Sequence, residues 1–198
     1  MRKIMLKKVS FMVDFVNFKR YNKQTFGKRW DGSVLNIVLV EPEIPQNCGN
    51  IARTCAATHS TLHLVHPLGF SIDEKQVKRA GLDYWHLVTI EEHPSFAQLM
   101  EEYPDAEFFY STTKAPRSYT QVHFPPNAFL VFGKETRGLP EELLHDHYDR
   151  CIRIPMVEGA RSLNLANSVA VVLYEALRQN DFESLNRCGH LTQYETES

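Results

Sequence analysis

Long apolar runs are absent from this sequence. The longest candidate, residues 169–174, falls far short of the roughly 20 apolar residues that a membrane-spanning helix needs. The first ten residues also lack the long apolar core and the small-residue cleavage site of a secretory signal peptide. These absences argue against a membrane protein and predict a cytoplasmic location.

Cysteine is also scarce, and none of the four residues belongs to a C-x-x-C pair. Zinc-ribbon and thioredoxin-like sites therefore lack their motif, and inside a cell the thiols are expected to stay reduced. His59, His63 and His66 lie close together in sequence, but a strand between them alternates its side chains and does not place all three on one face. No metal is predicted. The cysteines are Cys48, Cys55, Cys151 and Cys188.

Signature motifs of several common enzyme classes are missing as well. No G-x-G-x-x-G follows the first predicted strand, and neither G-x-S-x-G nor H-E-x-x-H occurs. Residues 133–136 (GKET) are similar to the end of a phosphate-binding P-loop, but the preceding glycine is absent and Glu135 would repel phosphate. Dinucleotide-dependent, P-loop and hydrolase functions therefore lose their usual support.

The net charge of the chain is −2, but the charged residues are distributed unevenly along it. Residues 1–31 carry nine Lys or Arg and two acids, so the remaining thirteen bases and twenty-two acids give the rest of the chain −9. Basic residues among aromatics can bind RNA through phosphate contacts and stacking. Residues 1–34 are thus either an RNA-binding arm or an extension that arises from an upstream start codon. The acidic remainder by itself argues against nucleic-acid binding.

Strand-like and helix-like segments alternate from residue 35 to residue 178. With 198 residues, 43% of them apolar, the chain is long enough for one folded domain, predicted over residues 35–181, followed by a polar tail over 182–198. The alternation with short loops predicts an α/β fold with a mainly parallel sheet and flanking helices. Asn47 is expected to cap the first helix. Predicted strands are 35–40, 61–65, 86–90, 107–111, 128–132 and 151–154; predicted helices are 47–58, 72–80, 95–102, 140–145 and 163 or 165 to 178.

Three polar segments follow predicted strands, where open α/β sheets bind their ligands. The first is Asn47-x-Gly49-Asn50-x-x-Arg53, the second covers residues 130–140 (LVFGKETRGLP), and the third covers residues 154–170 (IPMVEGARSLNLANSVA). A glycine at the end of a strand allows close approach of a ligand. Backbone N–H groups at a helix start can hold a carboxylate, although Ser162 and Asn164 can also be simple helix caps.

Together these segments resemble the signature motifs of the SPOUT methyltransferases, over about residues 35–180. The resemblance is greatest to the small branch that methylates the ribose 2′-hydroxyl of the tRNA wobble nucleotide. It implies a C-terminal trefoil knot, S-adenosylmethionine as methyl donor without a metal, a tRNA anticodon stem-loop as substrate, and a homodimer. The interface is expected to include the first and last long helices, residues 47–58 and 165–178.

The resemblance also assigns roles to individual residues. The arginine that matches Arg53 is proposed to be the base in this family, but arginine is a poor base, and binding of the adjoining phosphate is an equally good role. Ser111 follows the fourth strand and is expected to line the donor pocket through its backbone. Residues assigned to donor binding are Gly133, Ile154, Met156, Ser162 and Leu163. Residues expected around the reaction centre are Arg53, Asn47, Glu135 and Asn164.

Two other functions stay open at this stage. One is ribose methylation at another tRNA or rRNA position, and the other is RNA binding by this fold without catalysis. Only about 34 residues precede the predicted domain, too few for an independent RNA-binding domain. That length favours a small, exposed target such as the anticodon loop.

Overall fold

The computed structural model describes residues 34–70 and 88–193. The basic arm and the predicted helix over 72–80 therefore lie outside the described residues. Six parallel strands form one sheet in the order β3-β2-β1-β5-β4-β6. The strands are β1 (Asn36–Val40), β2 (Thr61–Val65), β3 (Ile90–His93), β4 (Phe108–Ser111), β5 (Phe129–Phe132) and β6 (Cys151–Ile152). The predicted α/β fold with a parallel sheet is confirmed.

Within the described residues, four α-helices cover the two faces of this sheet. They are α1 (Pro45–Thr58), α2 (Phe96–Glu102), α3 (Glu141–Asp146) and α4 (Leu165–Gln179), with short 3-10 helices at Tyr119–Gln121 and Tyr148–Arg150. None of the helices in the described parts of the chain has the length and apolar character needed to cross a membrane.

The sheet separates two layers of the hydrophobic core. Along β1, Leu39 packs in the layer with α1 and α4, whereas Val38 packs in the layer with α2 and α3. This alternation is the two-residue period of a strand, and a strand buried on both faces must be apolar throughout. The central strand β5 and the buried residues 37–40 of β1 meet this requirement and fix the position of the carboxyl edge.

Boundaries of three predicted elements are wrong by two residues or more, and one of them is the end of β6 at Ile152 rather than 154. Helix α1 begins at Pro45 with Ile44 as its N-cap, so Asn47 lies inside the first turn and does not cap it. A proline suits this first turn because its missing N–H has no helical partner there. Strand β3 runs over Ile90–His93 rather than 86–90, because the register with β2 pairs Leu62 with Ile90 and Val65 with His93.

The C-terminal part of the chain crosses back over the carboxyl edge of the sheet. Strand β6 lies at the outer edge beside β4, yet α4 packs against α1 and β5 near the middle of the sheet. Residues 153–164 make this crossing and bring the third polar segment beside the other two. Beyond α4 the described tail contains no helix or strand, although Phe182 and Leu185 still pack against the core.

Candidate active site

A cavity of about 470 Å³ opens at the carboxyl edge of the sheet. Loops after β1, β4, β5 and β6 line it, as expected for an open parallel sheet. The run 112–114 after β4, expected in the same pocket, lines it as well. Nine of the ten predicted site residues contribute to its wall. They are Asn47, Ser111, Gly133, Glu135, Ile154, Met156, Ser162, Leu163 and Asn164.

A chain of hydrogen bonds joins the three polar segments in this wall. The carboxylate of Glu135 accepts a bond from the Asn47 side-chain amide at 2.9 Å, and from the backbone N–H groups of Glu43 at 2.9 Å and Ile44 at 3.3 Å. The side-chain oxygen of Asn47 in turn accepts a bond from the side-chain amide of Asn164 at 3.0 Å. Each side chain is therefore held in one orientation by a residue from a different loop.

Glu135 thus has a role that the sequence did not indicate. It was expected only as a residue around the reaction centre, whereas here its oxygens accept hydrogen bonds from the N–H groups at the start of α1. A carboxylate is favoured at this end of a helix because of the unpaired N–H groups and the helix dipole. Burial, and then the Glu135 charge, raise the pKa of the Cys48 thiol to about 12, so that cysteine is protonated and no nucleophile at neutral pH.

A second pair of contacts closes the same two loops from the other side. The Glu43 carboxylate accepts bonds from the Thr136 backbone N–H at 3.1 Å and from its hydroxyl at 3.0 Å. The Lys134 ammonium lies 2.6 Å from the Glu41 carboxylate. Glu43, in the loop after β1, therefore binds the loop after β5, and Glu135, in the loop after β5, binds the loop after β1. Neither Glu43 nor Thr136 was predicted, because nothing local in the sequence pairs residues 93 positions apart.

The structure shows a requirement for glycine at position 133 that the sequence did not indicate. A Cβ atom at this position would lie 2.2 Å from the Gly138 carbonyl carbon and 2.2 Å from the Leu139 nitrogen. The loop after β5 folds back on itself here, with the Gly138 N–H donating to the Lys134 carbonyl at 2.8 Å. The missing side chain therefore makes room for the loop's own backbone, which forms one wall of the cavity.

Asn164 combines two functions at the start of α4. Its side-chain oxygen accepts bonds from the N–H groups of Ala166 at 2.9 Å and Asn167 at 3.3 Å, which makes it the N-cap. Its amide nitrogen is the group that donates to Asn47. Capping and site positioning are thus compatible in one residue. The neighbouring Ser162 and Leu163 are exposed at the mouth of the cavity.

Arg53 is the one predicted site residue that lies outside the cavity wall. It is exposed on α1, six residues beyond Asn47, which corresponds to about 120° around the helix and about 9 Å along it. The expected convergence of Asn47, Glu135 and Asn164 is present, but it does not centre on Arg53 of the same chain.

The histidines that cluster in sequence do not converge. His59 ends α1 in a left-handed conformation and is exposed, whereas His66 bonds to Glu92 at 2.8 Å. His63 is buried in the sheet and forms hydrogen bonds with Asn36 of β1 and His93 of β3. These three residues therefore have separate surroundings in the described structure.

His63 belongs instead to a buried polar network on the face covered by α2. Its Nδ1 lies 3.0 Å from His93 Nε2, its Nε2 lies 3.1 Å from the Asn36 oxygen, and His93 Nδ1 lies 3.1 Å from Glu102. Burial, and then the charge of His93, lower the pKa of His63 to about 3, so its imidazole is neutral at pH 7. With Glu91 these histidines form the single group of metal-ligand spacing within residues 34–70 and 88–193.

The fold and the cavity together define a class. This is a parallel α/β protein with helices on both faces of the sheet. Its cavity is built from loops at the carboxyl edge and is closed by the returning C-terminal segment. The chain belongs to the SpoU rRNA methylase family, because the sequence model of that family matches residues 34–174. The family implies the knotted SPOUT fold, in agreement with the motifs.

Several proteins with assigned names are similar in sequence to this chain over about three quarters of its length. One from Bacillus subtilis (strain 168), with the provisional name tRNA (cytidine(34)-2′-O)-methyltransferase, is 51% identical over 76% of this chain and 96% of its own length. A tRNA (cytidine(34)-2′-O)-methyltransferase from Methylovorus glucosotrophus is 47% identical over 75% of this chain and 97% of its own.

Solved structures agree in fold. One described as giving structural insights into the 2-OH methylation of C/U34 on tRNA has a TM-score of 0.71 and 45% identity, covering 76% of this chain and 98% of its own. The SpoU methyltransferase AviRb from Streptomyces viridochromogenes, solved with the cofactor AdoMet, has a TM-score of 0.67 and 25% identity, covering 78% of this chain and 60% of its own.

Proposed function

We propose that this chain transfers a methyl group from S-adenosylmethionine to the ribose 2′-hydroxyl of nucleotide 34 in tRNA. The observation that carries the proposal is the cavity in which Glu135, Asn47 and Asn164 join three loops by hydrogen bonds. The relatives named for this reaction match three quarters of the chain at about half identity, which supports the same substrate.

The cavity fits the methyl donor in size and in chemistry. Its volume of about 470 Å³ lies within the usual range for small-ligand sites. Ile154, Met156 and Leu163 provide apolar wall for an adenine ring, and the loop after β5 presents backbone groups to the polar part of the donor. S-adenosylmethionine supplies an electrophilic methyl group on a positively charged sulfur, and the chain must hold that methyl in line with the 2′-oxygen.

The chain's own residues then orient the reacting groups. Asn47 and Asn164 each have both side-chain amide atoms bonded to protein partners, so the two side chains keep one orientation in the cavity wall. Each amide nitrogen makes one of these bonds and retains a second N–H for a ligand. Glu135 keeps the start of α1 in place and, through Asn47, the start of α4. In the reaction the carbon–sulfur bond breaks, the oxygen–carbon bond forms, and the hydroxyl proton leaves to a base or to water.

In the proposed arrangement another copy of the chain supplies Arg53 to the reaction. Its exposed position outside its own cavity supports a homodimer in which Arg53 of one protomer acts on RNA bound by its partner. Helix α4 also exposes apolar side chains, with Val171 at 37% and Tyr174 at 48% of full exposure. Sedimentation at micromolar concentration is expected to give a dimer, and a monomer would refute this arrangement.

The decisive experiment is methylation by the full chain, followed by mapping of the product. Unmodified tRNA is incubated with the chain and isotope-labelled donor, and mass spectrometry of nuclease fragments locates the ribose methyl. We expect the methyl group on nucleotide 34. The Asn164→Ala variant should lose this product, whereas the tail control Arg187→Gln should form as much of it as the unaltered chain. Methylation at another position would refute the assignment of position 34, and no donor binding at millimolar concentration would favour an RNA-binding protein without catalysis.

A further inference from the structure

A second cavity of about 430 Å³ adjoins the donor cavity. The two share Met156, so a ligand in one lies next to a ligand in the other. Arg117 and Arg153 line the second cavity together with apolar side chains that include Pro116 and Pro155. No role for this cavity follows from the methyl donor, because none of the predicted donor residues except Met156 contributes to it.

Both arginines are held in place by backbone pairing beyond β4 and β6. The Arg153 N–H donates to the Arg117 carbonyl at 3.0 Å, and the Tyr119 N–H donates to the Arg153 carbonyl at 3.0 Å. Ser118 and Gln121 cap the following turn reciprocally, with the Ser118 N–H donating to the Gln121 oxygen at 2.8 Å. The floor of this cavity is therefore ordered by its own hydrogen bonds.

The charges of these two arginines are not compensated within the part of the chain that the structure describes. Arg150 and Arg178 pair with carboxylates there, and so do Lys114 and Lys134. Neither Arg117 nor Arg153 has a carboxylate within ion-pair distance among those residues. Two uncompensated guanidinium groups on one cavity stand out in a chain whose residues 32–198 carry a net charge of −9.

We propose that this cavity binds the sugar–phosphate backbone of the RNA nucleotide next to the methylated one. The planar guanidinium group donates in pairs to phosphate oxygens, which an ammonium group does not match. The prolines and Met156 provide apolar surface for the ribose or base that accompanies the phosphate. This inference rests on the proposed function, because an RNA strand must enter beside the donor cavity.

The site also accounts for how an acidic domain binds an anion. A phosphate contact depends on the local potential at the bound strand, and charges farther than about 10 Å are largely screened at ordinary salt. Arg137 and Arg161 line the donor cavity and add two further positive charges beside the second one. The strand therefore follows a basic path over the two cavities, while the acidic residues elsewhere act at longer range.

The test measures RNA affinity and donor affinity separately in the full chain. Fluorescence anisotropy with an anticodon stem-loop RNA gives the RNA Kd at several salt concentrations, and calorimetry gives the S-adenosylmethionine Kd. In Arg117→Gln and Arg153→Gln we expect the RNA Kd to rise about tenfold each, with an unchanged donor Kd. The plot of log affinity against log salt has a negative slope, and this slope should become shallower by about 0.7 for each arginine removed.

Two further variants separate this site from general effects of charge and folding. Arg187→Gln removes one exposed positive charge from the tail, and its RNA Kd should stay close to that of the unaltered chain. Arg153→Lys keeps the charge and should restore the salt slope, but only part of the affinity, because the paired donors are lost.

Three results would overturn the inference: unchanged RNA affinity in the Arg117/Arg153 double variant, an equal loss in Arg187→Gln, or an equal loss of donor affinity in the Arg153 variants. Methylation of an RNA position other than 34 would refute the proposed function alone and would leave these binding results standing.

Discussion

Replacing Gly133 by alanine tests the geometry of the donor cavity directly. The new Cβ would lie 2.2 Å from backbone atoms of Gly138 and Leu139, whereas ordinary contacts begin at 3.4 Å. The backbone of residues 138–139 must therefore retreat by about 1.2 Å, the difference between those two distances. A backbone segment cannot rotate away as the end of a side chain can, and both residues line the cavity.

Overpacking of this kind costs about 1–3 kcal/mol. We expect the melting temperature to fall by several degrees, at about 2–4 °C per kcal/mol for a chain of this size. Because the displaced segment is cavity wall, the S-adenosylmethionine Kd should rise about tenfold or more, as measured by calorimetry. An unchanged donor Kd together with an unchanged melting temperature would refute the reasoning.

Two glycines provide matched controls for this substitution. Gly189 has nothing within 4 Å of its added Cβ, so Gly189→Ala should leave both measurements unchanged. Gly138 has open space as well, but its φ is +70°, so Gly138→Ala should cost about 1–2 kcal/mol from backbone strain. Comparison of Gly133→Ala with Gly138→Ala separates steric displacement from strain within one loop.

Three further substitutions test the rest of the argument. Glu135→Gln replaces one carboxylate oxygen by an amide donor that faces a backbone N–H, so denaturant unfolding should show a loss of about 1.5–3 kcal/mol and steady-state assays a lower kcat; unchanged stability would contradict the network. Arg53→Lys should lower kcat with little change in RNA or donor affinity if Arg53 assists deprotonation, whereas a raised KM for RNA alone would assign it to phosphate binding. His63 has its pKa lowered to about 3 on folding, so its contribution is complete above the unfolded pKa of about 6.5 and is lost as pH falls toward 3. Urea unfolding between pH 7 and pH 4 should therefore show stability falling by up to about 1.4 kcal/mol per pH unit, with a smaller slope in His63→Gln; equal slopes would refute the assignment.

Most of the secondary structure could be predicted from the sequence because its signals are local. Apolar, β-branched runs identify β1, β2 and β5, and proline and glycine mark the loops between them. Strand β3 was misplaced because the apolar run before Ile90 gave a stronger local signal than its polar residues. Glu91 and Glu92 are accommodated at the edge of the sheet, where Tyr103 and His66 bond to them.

The candidate site divides in the same way. The sequence determined which loops carry the chemistry, since carboxyl ends of parallel strands meet at one edge, and nine of ten predicted residues line the cavity there. The direction of each side chain was decided by tertiary structure alone. Glu135 bonds to Asn47 across 88 residues, and Asn164 bonds to Asn47 across 117.

The sequence by itself determined an α/β domain with a parallel sheet, because alternating apolar periods are properties of short segments. Its three polar motifs, which are also short segments, carried the resemblance to the SPOUT methyltransferases. Only the tertiary structure decided that Gly133 accommodates its own loop, that Glu43 holds Thr136, and that Arg53 is not part of the cavity wall. It also brought Arg117 and Arg153 together. These relations depend on the register of the sheet and on the return of the C-terminal segment across its edge, and no local pattern of residues encodes either one.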